Sequence, residues 1–201
     1  MEFLAKIDRE TMNGYPHYLY EGEVVMVDSQ EKVAATLEDI YGSSVLGFDT
    51  ETKPAFKKGV TNKVGLMQIA TLHRVYLYRL NRIGLPAELV NFLENKYIVK
   101  VGVGIRDDKR ALQKHMKFVP RSFVDLQDMM QDYGIEDRAF SKRMAIIFGV
   151  RISKRQRVTN WEADVLTEPQ VLYAATDAWG ALAMYYKLVE NKDILRSVSA
   201  L

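Results

Sequence analysis

Apolar positions along the chain follow two rhythms, short strand-like runs and stretches at helical spacing, and the two take turns. The first twenty residues show no sustained period and read as a loose lead-in, assigned here to residues 1–21. "GEVVMV" then reads as a Val-rich strand. "DSQEKVAATLEDIY" reads as a helix with Asp28 as N-cap, Glu31 three residues on, and Val33, Leu37 and Ile40 at helical spacing. "VLGFDTE" is a second strand, followed by the loop "TKPAFKKGVTN". "KVGLMQIAT" and "RVYLYRL" read as two strands joined tightly around Leu72 and His73. Helical "PAELVNFLENK" follows, with Pro86 near its start, then strand "YIVKVGVG" and helix "DDKRALQKHM". "SFVDL" is a short strand running into helical "QDMMQDY", and "AFSKRMAIIFGV" is another helix before a last, long one. Strands alternating with helices, plus one hairpin, predict a single α/β domain over residues 22–201 with a mixed sheet flanked by helices.

The last helix, "VLYAATDAWGALAMYY", poses the chemical question. Leu172, Ala175, Trp179, Leu182 and Tyr186 form one face; Tyr173, Asp177, Gly180, Ala181, Met184 and Leu188 form the other. A helix apolar nearly all round is a buried helix. Inside it the carboxylate of Asp177 is expensive unless a cation or hydrogen bonds compensate it. Tyr173 lies one turn before it on the same face, and Gly180 with Ala181 leaves the neighbouring surface low enough to admit a substrate.

Composition narrows the answer. The 48% hydrophobic and 27% charged content suits one soluble domain, and no apolar run approaches the length of a membrane span, so a cytoplasmic protein is expected. There is no cysteine, and the three histidines are scattered, so a metal would have to be held by oxygen. A net charge of +2 does not by itself announce a nucleic-acid binder. Two basic clusters stand out: Lys53, Lys57 and Lys58, and Arg151, Lys154, Arg155 and Arg157 in "RISKRQR". Each is either a solvated loop or a set of phosphate contacts.

The remaining acids gather at element ends. Side chains alternate across a strand, so in "VLGFDTE" Leu46, Phe48 and Thr50 share one face while Val45, Gly47, Asp49 and Glu51 share the other. Two carboxylates so placed are either solvated at a finished strand or held by a divalent cation between them. In "IRDDKRAL" Asp107 reads as a helix N-cap, and Asp108, on the face of Leu112 and His115, points further inward.

Taken in order, D-x-E at a strand end, an Asp after a later strand, and Y-x-x-x-D on the last helix resemble the DEDDy branch of the 3′–5′ exonucleases, with the ribonuclease H-like fold. "LGFDTE" with "KVGLMQIA" matches the first motif, "KVGVGIRDDKRAL" the second with its acid on Asp108, and "NWEADVLTEPQVLYAATDAWGALAMY" the third. The match runs over roughly residues 22 to 190. It implies a hydrolase that removes nucleotides from the 3′ end of DNA or RNA with two divalent ions, Mg²⁺ or Mn²⁺. By that resemblance Asp49, Glu51 and Asp177 hold one ion, Asp49 bridges to the second, and Asp108 holds the second through water. Tyr173 orients the attacking water. Thr50, Lys57, Arg157 and Trp161 are candidate substrate contacts, Trp161 either stacking on a base or packing the third motif into place. No sequence resembling the nucleic-acid-binding domains of ribonuclease D follows the match, so long-range substrate recognition is expected either to come from a partner chain or to be absent. Two readings compete: a catalytically silent nucleic-acid-binding module of the same fold, and a glycosidase working with two of the acids, which leaves Asp177 and Tyr173 unexplained.

Overall fold

In a computed structural model, residues 3–57, 59 and 61–198 are described. A short helix α1 (Arg9–Asn13) precedes β1 (Glu23–Val27) and α2 (Gln30–Tyr41). Then come β2 (Val45–Thr52), β3 (Val64–Ala70), β4 (Arg74–Tyr78), α3 (Leu80–Ile83) and α4 (Ala87–Leu93). The chain continues through β5 (Val99–Gly102), α5 (Arg106–Leu112), β6 (Phe123–Asp125), α6 (Leu126–Gln131) and α7 (Phe140–Phe148) to the long α8 (Glu168–Val198). Among the described residues the strands form one six-stranded sheet in the order β1-β4-β3-β2-β5-β6. β2, β3 and β4 are antiparallel neighbours, while β1 joins β4, β5 joins β2 and β6 joins β5, all in parallel. This is the mixed sheet that the pattern predicts.

Each face of the sheet is covered because each strand is apolar on both sides. Leu46, Phe48, Met67 and Ile69 pack on one face against Val33 and Ile40 of α2, Leu89 and Phe92 of α4, and Leu112 of α5. Leu66, Ala70 and Leu77 pack on the other against Ala174, Ala175 and Ala178 of α8. Further along α8, Leu182 and Leu188 join Met130 of α6 and Ile147 of α7. No helix among the described residues is long and apolar enough to cross a membrane. Buried within β5 is one cation, Lys100, whose ammonium donates to the carbonyls of Asn95 (2.7 Å) and Ile98 (2.9 Å) beyond the end of α4. Burial lowers its pKa to about 8.

The structure corrects the sequence reading in six places. The lead-in is tied down rather than loose: Ile7 and Tyr20 are buried, Tyr18 N donates to the Arg151 carbonyl, and Tyr20 N donates to Thr176 Oγ1 of α8. These anchors are largely backbone bonds, which leave no apolar period to read. Ser29, not Asp28, precedes α2, because the Asp28 carboxylate pairs with Lys32 one turn into the helix at 2.7 Å. β4 stops at Tyr78, and Leu80 opens α3. Asp107 does not cap α5; Ile105 holds the cap position, and Asp107 lies exposed in the first turn beside Arg110 at 3.3 Å. The low surface expected at Gly180 is filled by the Phe140 ring and the Met144 sulfur of α7, so it admits no substrate. Tyr186, placed on the inner face of the last helix by its spacing, is 38% exposed.

The fit of α8 onto β2 depends on absence of side chain. A Cβ on Gly47 would run into the backbone carbonyl oxygen of Ala178, and backbone cannot swing aside as a flexible side chain can. Gly47→Ala is therefore expected to destabilise the fold by about 1–3 kcal/mol. Gly42→Ala, at the end of α2 with an ordinary φ of −72°, should cost much less. Denaturant unfolding of both variants checks the contrast.

Candidate active site

The residues of interest gather at the C-terminal ends of β2 and β5, the end of an open α/β sheet where ligands ordinarily bind. Because Gly47 lets α8 lie against β2, the alternation that sets Leu46 and Phe48 into the opposite core turns Asp49 and Glu51 towards α8. Asp177 meets them from that helix. Asp49, Glu51 and Asp177 each bring a carboxylate oxygen to within 4.8 Å of the others. Glu51 is 8% exposed and Asp177 9%, which excludes the reading of a finished strand with solvated acids. Asp177 Oδ1 is buried without a hydrogen-bond partner.

Asp108 approaches from the start of α5, outside this tight group of three but within its field. Gly104, with φ of +75°, turns the chain between β5 and α5 in a conformation that favours glycine. The Thr50 hydroxyl, pointing to the other face of β2 from its two acidic neighbours, donates to the Asp108 carboxylate. That bond ties the second motif to the first.

Electrostatics follow from this crowding. Burial, then the charges of Asp108, Asp177 and Glu51, push the Asp49 carboxyl well above its ordinary range. Burial and the charges of Asp177 and Asp108 raise Glu51 to about 9, with the Arg157 guanidinium pulling the other way. Burial raises Asp177 to about 7, against a hydrogen bond from Tyr173. Asp108 is raised by burial and held back by Thr50. None of the four takes part in an ion pair among the described residues.

Tyr173, one turn before Asp177, is buried, and its hydroxyl helps to hold down the pKa of that carboxylate. Burial and the charges of Asp177, Glu51 and Asp49 push the phenol well up, so its proton stays on. The Trp161 ring lies 6.2 Å from the Tyr173 ring and is fully buried. Trp161 therefore offers no face to a base; of the two roles read from the sequence, the packing one is what the structure has. The loop of "RISKRQR" crosses the outer side of Tyr173. Arg157 and Lys154 line a cavity of about 120 Å³ together with Tyr173 and Asp177. Arg151 and Arg155, with His17 of the lead-in, line a neighbouring one of about 600 Å³ on the other side of Tyr173. Lys57 is exposed on its loop, Lys53 pairs with Glu162 at 3.6 Å, and Lys58 lies outside the described residues.

Two polar groups at the site escaped the sequence reading. Gln68 of β3 is the cross-strand partner of Asp49, fully buried, and neither end of its amide has a hydrogen-bond partner. Its signal was a lone polar residue inside the apolar run "GLMQIA". Ser141 of α7 lines the small cavity with its hydroxyl buried and unpartnered, and nothing in its sequence context marks it.

Comparison with known proteins agrees with this architecture. A family model described as 3′–5′ exonuclease matches residues 24–192. The bifunctional 3′–5′ exonuclease/ATP-dependent helicase WRN of Mus musculus is 34% identical over 164 residues, which are 79% of this chain and 12% of that protein. A 3′–5′ exonuclease of Arabidopsis thaliana is 30% identical over 187 residues, 87% of this chain and 64% of that one. The chain thus spans less than two thirds of either relative's length. Among solved structures, the Nibbler EXO domain of Aedes aegypti superposes with a TM-score of 0.80 at 24% identity, covering 90% of this chain and 94% of that one. Escherichia coli RNase D gives 0.77 at 22% identity, over 86% of this chain and 46% of that one. These likenesses establish the ribonuclease H-like fold. With the family match over residues 24–192 and the D-x-E, Asp and Y-x-x-x-D motifs in order, the chain belongs to the DEDDy-type 3′–5′ exonuclease family.

Proposed function

We propose that this chain is a metal-dependent 3′–5′ exonuclease that hydrolyses phosphodiester bonds from the 3′ end of nucleic acid, DNA or RNA, with two divalent cations, Mg²⁺ or Mn²⁺. The observation that carries the reading is the meeting of half-buried Asp49 with buried Glu51 and Asp177, with no ion pair to any of them among the described residues. Carboxylates forced together out of water must be protonated or neutralised by something else. An unpartnered Asp177 Oδ1 and an all-oxygen donor set fit a hard divalent cation. Asp49, Glu51 and Asp177 would hold one ion; Asp49 and Asp108 would hold the other. Ions bound there would stabilise the charge on the attacking and leaving oxygens of the scissile phosphate.

The chain's own groups then have distinct work. The Tyr173 hydroxyl, keeping its proton, lies one helical turn from Asp177 and orients the attacking water beside it. Thr50 fixes the rotamer of Asp108. Arg157, on the wall of the cavity that Asp177 and Tyr173 share, offers a guanidinium to a substrate phosphate, and Lys57 offers an exposed ammonium from the loop after β2. Phosphate contacts of this kind position a strand without reading its sequence. Recruitment of substrate by a partner chain belongs to the same proposal.

Three outcomes test it. Single-stranded DNA and RNA labelled at the 5′ end should give a ladder shrinking from the 3′ end in Mg²⁺ or Mn²⁺, and none in chelator or with Asp49→Ala. Full-length substrate in every lane, with binding retained, would support the catalytically silent module instead. Asp108→Ala should lower kcat by about 100-fold or more, as loss of a metal-holding carboxylate does, whereas Asp107→Ala should stay within about twofold of wild type. The reverse pattern would reassign the second motif.

The third outcome is a pH dependence. Folded-state pKa values raised to about 9 at Glu51 and about 7 at Asp177 mean that the folded protein holds more protons than the unfolded chain above the ordinary carboxylate range. The metal-free fold therefore loses stability as pH rises from about 5 to about 9. Asp177→Asn should flatten that decline in Tm. Because ligands must shed protons to bind a cation, added Mn²⁺ should raise Tm more at about pH 8 than at about pH 6.

A further inference from the structure

A second polar cavity, of about 550 Å³, opens between α6 and α7, away from the acidic group. Arg143 of α7 lines it, and Arg143 is only 2% exposed. Its Nε donates to the Asp137 carbonyl at 2.7 Å, while its Nη1 is buried with no hydrogen-bond partner. A buried guanidinium carries five donors and a full charge, so leaving it this open is costly unless something enters to meet it. The two acids whose charges favour it are bonded to other groups, through one oxygen of Asp125 and both oxygens of Asp137. Asp125 accepts from the backbone of Gly104 (2.8 Å) and Gln127 (2.9 Å). Asp137 accepts from Ile7 N (2.9 Å) and from Lys142 (2.8 Å). The carboxylates of both act on Arg143 by charge, with no hydrogen bond to it among the described residues.

The rest of the lining points to an anion. Arg138 lies on the same cavity, makes no ion pair, and its charge repels that of Arg143. Lys6 and Glu136, also on the wall, neutralise each other at 2.8 Å. Asp128 is the remaining acid of the lining, set against two unpaired guanidiniums. Gln127 and Gln131, one turn apart on α6, add amide donors. Two guanidiniums and two amides offer more donors than the two oxygens of a carboxylate can accept, and match the three or four oxygens of a phosphate. Asp125 acts by charge on both Asp108 and Arg143, although no residue of the acidic site lines the cavity.

We propose that the α6–α7 cavity is a phosphate-binding site anchored by Arg143, with Arg138 as its second cation. The phosphate comes either from the backbone of the nucleic-acid strand, which rests on the exonuclease reading above, or from free phosphate, which does not.

The test uses the full chain in chelator, so that binding is read without cleavage. Fluorescence anisotropy gives the Kd of a 5′-labelled single-stranded oligonucleotide as a function of salt, and equilibrium dialysis gives binding of inorganic phosphate in a chloride buffer. Arg138→Ala changes an exposed residue, and Arg143→Met keeps the volume of the buried one. Each is expected to weaken one of the two ligands about tenfold and, for the oligonucleotide, to lower the salt slope by about one. Weakening of the oligonucleotide alone assigns the site to the strand; weakening of inorganic phosphate assigns it to free phosphate. Unchanged binding of both ligands by Arg138→Ala, the variant that leaves the core intact, would overturn the proposal even if Arg143→Met fails to fold. Failure of the exonuclease reading would show instead as absence of cleavage in Mg²⁺ and Mn²⁺ by wild type, whatever these affinities are.

Discussion

Everything at the working end of this protein follows from holding like charges together out of water. Asp49, Glu51 and Asp177 repel one another at the end of β2, and Asp108 adds its field from α5. No local preference would gather them. The energy that does so comes from apolar burial elsewhere, on both faces of the sheet, which fixes the strand and helix that carry the acids before their repulsion is felt. The site is in this sense strained by design of the frame, and its strain is what gives a cation or a proton its hold there.

The frame transmits that control through a few contacts. Gly47 lets α8 lie on β2 at backbone distance, so the separation of Asp177 from Asp49 and Glu51 is set by main chain rather than by flexible side chains. Trp161, fully buried, backs the ring of Tyr173, which lies one turn before Asp177 on α8. Thr50 joins β2 to α5 through Asp108. Three different elements thus deliver the acids, and each is braced by a residue whose own surroundings are packed or bonded.

The lead-in and the basic loop before α8 form a second layer around this centre. Tyr18 and Arg151 share backbone bonds, Tyr20 bonds Thr176 on α8, and the cavities on either side of Tyr173 are walled by residues of that layer. Cationic side chains of that layer line cavities bordered by Tyr173 and, in the smaller one, by Asp177, so positive charge lies beside the acids.

Much of this was legible in the sequence because it depends on local periodicity. The alternation of "VLGFDTE" predicts Asp49 and Glu51 on one side of a strand, and the all-round apolar "VLYAATDAWGALAMYY" predicts a buried helix with one anomalous carboxylate. The order of motifs then identified the family. Local pattern does not say which distant partners a side chain meets. It placed Asp28 and Asp107 at helix caps, where tertiary and neighbouring cations drew them elsewhere, and it left Gly180 open where α7 fills the space. It gave Trp161 two roles, and only enclosure by the folded chain decided between them. Gln68, Ser141 and Arg143 become exceptional on burial, where the Gln68 amide, the Ser141 hydroxyl and Arg143 Nη1 have no hydrogen-bond partner among the described residues. The chain alone determined which faces are apolar and where its acids fall on them; only the tertiary structure decided which polar groups are left unmet, because desolvation is a property of everything packed around a group and not of its neighbours along the chain.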